Sequence, residues 1–392
     1  MRTWQKVFVG FGLIFMLGMQ AVFTVLLSTP SGIRMDHPLP GRSVPRTLPV
    51  TGNAWMKAGI EKIEVTAENP ATGATLTVPA ERFAVKYRGV TAFLLSNWRA
   101  EIVFPADGAW RVSARATGID GTSVATVPRT VTVASDARLR EFRPWSPLHL
   151  ASLGLLVVAW VVLPLVVRRA NDPRLNARVA LALSLVLWVD EIVYQMYWFG
   201  IQAWSAPLAL MLQMCGLSIL LIPLMFYAPN DRMRRFLFEL MYFWGLGGAL
   251  QALFAPDIGF HGFPEMKYLG YFISHGTIIL SVLFAAAAWR IELTWRSLLR
   301  VAVVTNIAVA AAYGINQLLR LIPPYEPGNF FVIGYPPPQG SVVDLFATMF
   351  GPTPRYLIGL ELMGAVIFGL IYLPYPIARL VRRRRAARVA QR

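Results

Sequence analysis

Eight apolar runs of membrane-spanning length constrain this chain more than any motif in it. Residues 7–27 form the first, and 147–167, 179–199, 205–227, 236–254, 268–289, 300–320 and 356–378 form the others. A helix crossing a ~30 Å hydrocarbon layer needs roughly 20 such residues, because each adds about 1.5 Å of rise. The composition agrees: 56% of residues are hydrophobic and 15% charged, more apolar surface than a soluble core could bury. The fold class expected is a polytopic α-helical membrane protein, an N-terminal anchor followed by a seven-helix bundle.

Where the charge falls sets an orientation. The net charge is +16, and its arginines cluster beside the apolar runs. The connections 168–178, 228–235 and 290–300 hold Arg168, Arg169, Arg174 and Arg178, then Arg232, Arg234 and Arg235, then Arg290, Arg296 and Arg300, and the tail carries Arg382 to Arg385. The alternate connections carry only Lys267, Arg320 and Arg355. By the positive-inside bias, both termini are expected in the cytoplasm, with the chain multi-pass in the cell (inner) membrane. The positive charge is then a match for anionic lipid, and no nucleic acid partner is expected. Arg2 and Lys6 precede the first run and no small-x-small cleavage site follows it, so residues 1–30 read as an anchor or uncleaved signal.

Between Pro40 and Val133 the apolar runs shorten and period-two alternation appears, as in IEKIEVTAEN, ATLTVPAERFAV, AEIVFPADG and AWRVSARATGIDG. Such alternation marks half-buried strands. Residues 40–135 are expected to form an extracytoplasmic all-β, immunoglobulin-like sandwich, built without the usual disulfide and its tryptophan partner. Cys215 is the single cysteine and excludes an intrachain disulfide. Residues 145–380 form the seven-helix domain and 381–392 a basic cytoplasmic tail.

Polar groups inside hydrocarbon are costly and therefore mark function. Here they include Asp190, Glu191, Gln213, Cys215, Glu239, Gln251, His275, Asn306, Asn316, Gln317 and Glu361. Cys215 and His275 are the pair suited to covalent chemistry, a thiolate nucleophile and an imidazole that generates it. On continuous helices they sit roughly 15 and 10 Å below the outer ends at ~1.5 Å per residue, nearly level. Asp190 and Glu191 are adjacent, point about 100° apart and cannot act as one paired-carboxylate device. Glu239 follows an arginine cluster, which fits an interfacial ion pair. One cysteine and scattered histidines (His37, His149, His261, His275) offer no metal-ligand spacing, so no metal site is expected.

The run ELMYFWGLGGALQALFAPDIGF, the segment YFISHG at Tyr271 to Gly276, and PGNFFVIGYPPPQGSVVDLFATMFGPTPRYLIGLE from Pro327 to Glu361 resemble the YwaF-like integral membrane proteins over about residues 180–378. That family is related to eukaryotic proteins proposed to be phospholipid acyltransferases. The resemblance places its proposed catalytic Cys and His on Cys215 and His275. It implies a membrane-embedded acyltransferase or transacylase acting on outer-leaflet membrane phospholipids, with no cofactor. Asp190 or Glu191 would orient His275, and Gln251 or Asn316 would donate to the developing oxyanion. Two rival readings stand beside it. One is a transporter or channel lined by the intramembrane carboxylates. The other is a non-enzymatic platform whose β domain binds an envelope partner. Loops 255–267 and 321–355, with Pro323, Pro324, Tyr325 and Tyr335 to Pro338, are expected to cap the site.

Overall fold

The computed structural model describes residues 3–87, 90–138, 142–256, 258–259, 261–334, 342–351 and 354–390. The Tyr335 to Pro338 part of the expected cap lies outside them. Helix α1 (Thr3–Leu27) leads directly into a β region that begins at Ser31, ahead of the expected boundary at Pro40.

The described residues of that region form ten strands: β1 (Ser31–His37), β2 (Ser43–Val44), β3 (Thr47–Met56), β4 (Ile60–Glu68), β5 (Thr75–Pro79), β6 (Glu81–Tyr87), β7 (Val90–Val103), β8 (Gly108–Gly118), β9 (Ser123–Ala125) and β10 (Arg129–Val133). One sheet runs β1-β3-β7-β6; the other runs β2-β10-β8-β4-β5, with β9 paired to β8. The alternation legible in AWRVSARATG decides which side faces in. Trp110, Val112, Ala114 and Ala116 point into the core, and the residues between them face outward. Leu48, Val50, Trp98 and Ile102 of the opposite sheet close the same core. The core holds two tryptophans although the disulfide they would accompany in an immunoglobulin domain is absent: Trp98 is 0% and Trp110 1% exposed. Burying such large rings supplies apolar area that a disulfide-free domain of this size requires. At its rim, Arg46 and the Ser135 amide donate to Asp107 and hold that carboxyl below the usual range.

The helical region follows: α2 (Pro147–Ala170), α3 (Pro173–Gly200), α4 (Ala206–Ala209), α5 (Met214–Phe226), α6 (Asp231–Phe254), α7 (Met266–Trp289), α8 (Trp295–Leu319), α9 (Val342–Phe350), α10 (Leu357–Tyr372) and α11 (Pro374–Ala390). Among the described residues seven helices are long and apolar enough to cross a membrane, α1, α2, α3, α6, α7, α8 and the joined α10–α11. Their starts are encoded locally. Ser146 and Asp172 cap α2 and α3 ahead of prolines, Asn230 caps α6, and Thr294 with Ser297 forms a capping box on α8. Helix α6 is the most enclosed of the long helices, with α5 and α7 against it. The long helices elsewhere expose Leu155, Val158, Val303, Ile307, Leu362 and Val366, as lipid-facing helices do.

One expected helix is not continuous. The run 205–227 breaks into α4 and α5, with residues 210–213 irregular between them. Gly216 makes the break possible, because a Cβ there would come within 2.8 Å of Met211 Cα and 3.1 Å of Met211 O. Cys215 is therefore not mid-helix but the second residue of α5.

The β region and the bundle meet through named contacts. Arg34 of β1 pairs with Glu326 at 3.3 Å, Arg42 with Glu265 at 3.4 Å, and Arg129 donates to Ile201 O at 2.7 Å. Tyr325 packs on Trp55 and Leu95.

Candidate functional site

Three glycines in α6, Gly245, Gly247 and Gly248, thin its surface so that neighbours approach closely. The position a Cβ would take at Gly248 lies 3.3 Å from Cys215 Sγ, so the thiol rests on the α6 backbone. On α7, Tyr271, His275, Ile278 and Val282 recur at helical spacing and share one face. Tyr271 donates to Ala252 O of α6 at 3.0 Å, and a Cβ at Gly245 would come within 3.1 Å of Ile278 and 3.0 Å of Val282. The two helices run antiparallel through these contacts, which sets His275 level with Gly248. Cys215 thus meets α6 at Gly248 from the α5 side, while His275 stands at a matching level on α7. Both are half-buried.

The hydrogen bonds of His275 fix its tautomer. Its Nδ1 lies 2.7 Å from Tyr271 O, and a carbonyl only accepts, so Nδ1 carries the proton and Nε2 keeps its lone pair. The ring stacks on Tyr271 with centroids 4.2 Å apart. Cys215 occupies the first turn of a 13-residue helix, where backbone N–H groups lack intrahelical partners and face the break.

The break is held by the loop that follows α8. Gln213 spans it, donating to Asn329 O at 3.0 Å and accepting from Phe331 N at 2.8 Å. Asn316, 1% exposed on α8, grips the same loop by donating to Phe330 O at 3.1 Å and accepting from Phe330 N at 3.0 Å. Phe331 and Val332 sit at positive φ (56° and 59°), backbone that non-glycine residues seldom adopt, so these bonds hold a conformation the chain would otherwise leave. Asn316 is committed to the loop. Gln251 is exposed, and its amide nitrogen donates to Gly247 O at 2.7 Å, one turn back on α6.

The carboxylates lie elsewhere. Glu191 accepts from Gln195 at 2.6 Å, and Gln195 in turn donates to Ala209 O and accepts from Trp204, each at 2.6 Å, so this chain of bonds anchors α4. Asp190 faces α7 at Gly270, where a Cβ would come 3.6 Å from its Oδ1. Among the described residues neither carboxylate hydrogen-bonds His275. Glu239, 1% exposed, receives Arg300 at 2.8 Å, Ser297 at 2.8 Å and Arg235 at 3.3 Å. Among the described residues no group of three or more His, Cys, Asp or Glu is placed to hold a metal ion.

Sequence reasoning paired Cys215 with His275 but missed the helix break and the two amide clamps. The signals present were Gly216 directly after Cys215, and Gln213 and Asn316 as polar residues in apolar runs.

A family model described as the TMEM164 family matches residues 144–372, from just before α2 to the end of α10. No curated protein matches the chain. Among solved structures, the fibronectin(III)-like modules of Clostridium thermocellum CbhA are similar over 27% of this chain and 99% of theirs, at 16% identity and a TM-score of 0.18.

Proposed function

Since the chain belongs to the TMEM164 family, a family of transmembrane proteins, we propose that its bundle is a lipid acyltransferase in which Cys215 and His275 move an acyl group between phospholipids. The observation that carries this reading is that Cys215 rests on Gly248 of α6 while His275 stands level with that glycine on α7, with its Nε2 left to accept a proton. His275 takes the Cys215 proton, and the thiolate attacks the ester carbonyl of a donor phospholipid. The carbon–oxygen bond breaks, the lysophospholipid oxygen takes the proton back from His275, and the acyl group stays on sulfur as a thioester. An acceptor hydroxyl, deprotonated by the same imidazole, then attacks the thioester, and the thiolate is reprotonated. No external energy source is needed, because the donor ester already holds the acyl group in transferable form.

The oxyanion of each tetrahedral step is served by the backbone N–H groups at the start of α5, which lie beside the nucleophile. Asn316 and Gln213 act through the loop at 329–331 as positioning residues for the α5 start. In the orientation set by the arginine-rich connections, this end of the bundle meets the outer leaflet and the β domain lies outside the cytoplasm.

Acyl transfer in liposomes containing the purified protein, a labelled donor phospholipid and a lysophospholipid acceptor tests the reading. Transfer by the wild type, lost in Cys215→Ala and in His275→Ala while both stay folded, is the expected result. Transfer undiminished in Cys215→Ala would overturn it and return attention to Asp190 and Glu191.

A further inference from the structure

The loop after α8 is held from outside the bundle as well as from within it. Glu326, 8% exposed, accepts from Arg34 Nη1 and Nη2 of β1, each at 3.3 Å, and the neighbouring Tyr325 packs on Trp55 and Leu95. Arg34 is itself fixed to its sheet. The strand register sets it opposite Asn53 of β3, and sets Asn53 opposite Asn97 of β7. Arg34 donates to Asn53 Oδ1, and Asn53 donates to Asn97 Oδ1 at 2.7 Å, so a row of polar side chains crosses three paired strands and ends on Glu326. Cross-strand pairs of this kind are part of what stabilises a sheet.

The other end of the same loop reaches the nucleophile. Three residues after Glu326, Asn329 O accepts from Gln213, whose side-chain oxygen accepts from Phe331 N, and Gln213 stands two residues before Cys215. The link between the two anchors has little slack. Pro327 fixes its own φ, and a Cβ on Gly328 would come within 2.6 Å of Asn316 Oδ1 and 3.2 Å of Asn316 Cα, so the chain there lies flat against α8. Three residues reach at most about 10 Å when extended, so a shift at Glu326 is passed on to Asn329. Other junction contacts, Arg42 with Glu265 and Arg129 with Ile201 O, join the β region to the bundle without touching this loop.

We infer that Arg34 and Glu326 are positioning residues for the Cys215 site: through them the β region holds the loop after α8 in the shape that sets the start of α5. Their effect on rate rests on the acyl-transfer reading, whereas the coupling of the β region to the loop does not.

The test uses the full-length protein in nanodiscs, as wild type, Glu326→Gln, Arg34→Met and the double variant. Glu326→Gln leaves Arg34 its second counter-charge, Asp36 at 3.3 Å, so no charge is stranded. Amide hydrogen exchange at Phe330 and Phe331, whose N–H groups are bonded to Asn316 and Gln213, reads the opening of the loop. Exchange about tenfold faster in Glu326→Gln is expected, the weight of one hydrogen bond to a charged group. The double variant should be no faster than the faster single, because the same contact is lost in all three. Asp107→Asn, which breaks a β-region ion pair away from the loop, should exchange there as wild type does. In the transfer assay Glu326→Gln should lower kcat about tenfold and leave KM for the lysophospholipid unchanged, as a loss of positioning rather than of binding does. Exchange at wild-type rates in both single variants would overturn the inference, and so would faster exchange with kcat unchanged. No transfer by the wild type, with faster exchange in the variants, would keep the coupling and strike the acyl-transfer reading instead.

Discussion

At one end of the bundle, Glu239 is buried beneath Arg300, Arg235 and Ser297, and both carboxylate oxygens are engaged. At the other end, Cys215 and His275 sit half-buried beside a broken helix, and the polar groups around them are neutral amides holding a strained loop. The first end closes its charges on one another and leaves nothing to react. The second brings a thiol and an imidazole with an unprotonated Nε2 to a helix start. A buried charge is tolerated where partners saturate it, and a reactive group is useful where they do not. The three α6 glycines sit in the half of that helix next to the Cys215 end, and the Asp231 end of α6 has none.

The largest expected effect tests that contrast directly. His275→Ala should lower acyl transfer by about a thousandfold, as the loss of a general acid and base does, with little change in melting. Glu239→Ala should do the reverse. It takes the acceptor from the buried Ser297 hydroxyl and the counter-charge from the exposed Arg300 and Arg235, and should cost about 2 kcal/mol of stability, read by thermal unfolding in detergent, while the folded fraction keeps its transfer rate. A Glu239→Ala protein of unchanged stability would break the comparison.

Asn316→Ala sharpens it. The substitution orphans the Phe330 N–H and C=O, a local cost of about 2 kcal/mol. Hydrogen exchange should accelerate at Phe330 and Phe331 and transfer should fall, with Glu239 and its partners unaffected. The smallest effect lies in the β region. Asp107 titrates below an ordinary Asp, so its stabilisation is complete above about pH 4 and is lost as the pH falls through the lower folded value. Asp107→Asn should lower the melting temperature near neutral pH, and the difference should vanish in strong acid.

Much of the fold was legible because hydropathy and alternation act along the chain. The apolar runs became helices, and the alternation of AWRVSARATG became the inward and outward faces of β8. The break before Cys215 was not legible, because 205–227 is apolar throughout and a hydropathy window cannot see a chain bending on itself. Only Gly216 hinted at it, and its meaning depends on Met211, which returns to meet it in space. Cys215 and His275 were readable as residue types, but the tautomer of His275 was not, because it rests on the Tyr271 carbonyl. Likewise the sequence offers Glu191 and Asn316 as catalytic helpers, and the side chains they meet across the fold make them supports for α4 and for the loop.

The central claim is a covalent acyl-enzyme on Cys215. Intact and peptide mass spectrometry of the protein incubated with donor phospholipid and no acceptor tests it most directly. The account predicts a mass increase of one acyl group on the Cys215 peptide, removed by hydroxylamine and absent in Cys215→Ala. Transfer proceeding with no adduct on that peptide would contradict it.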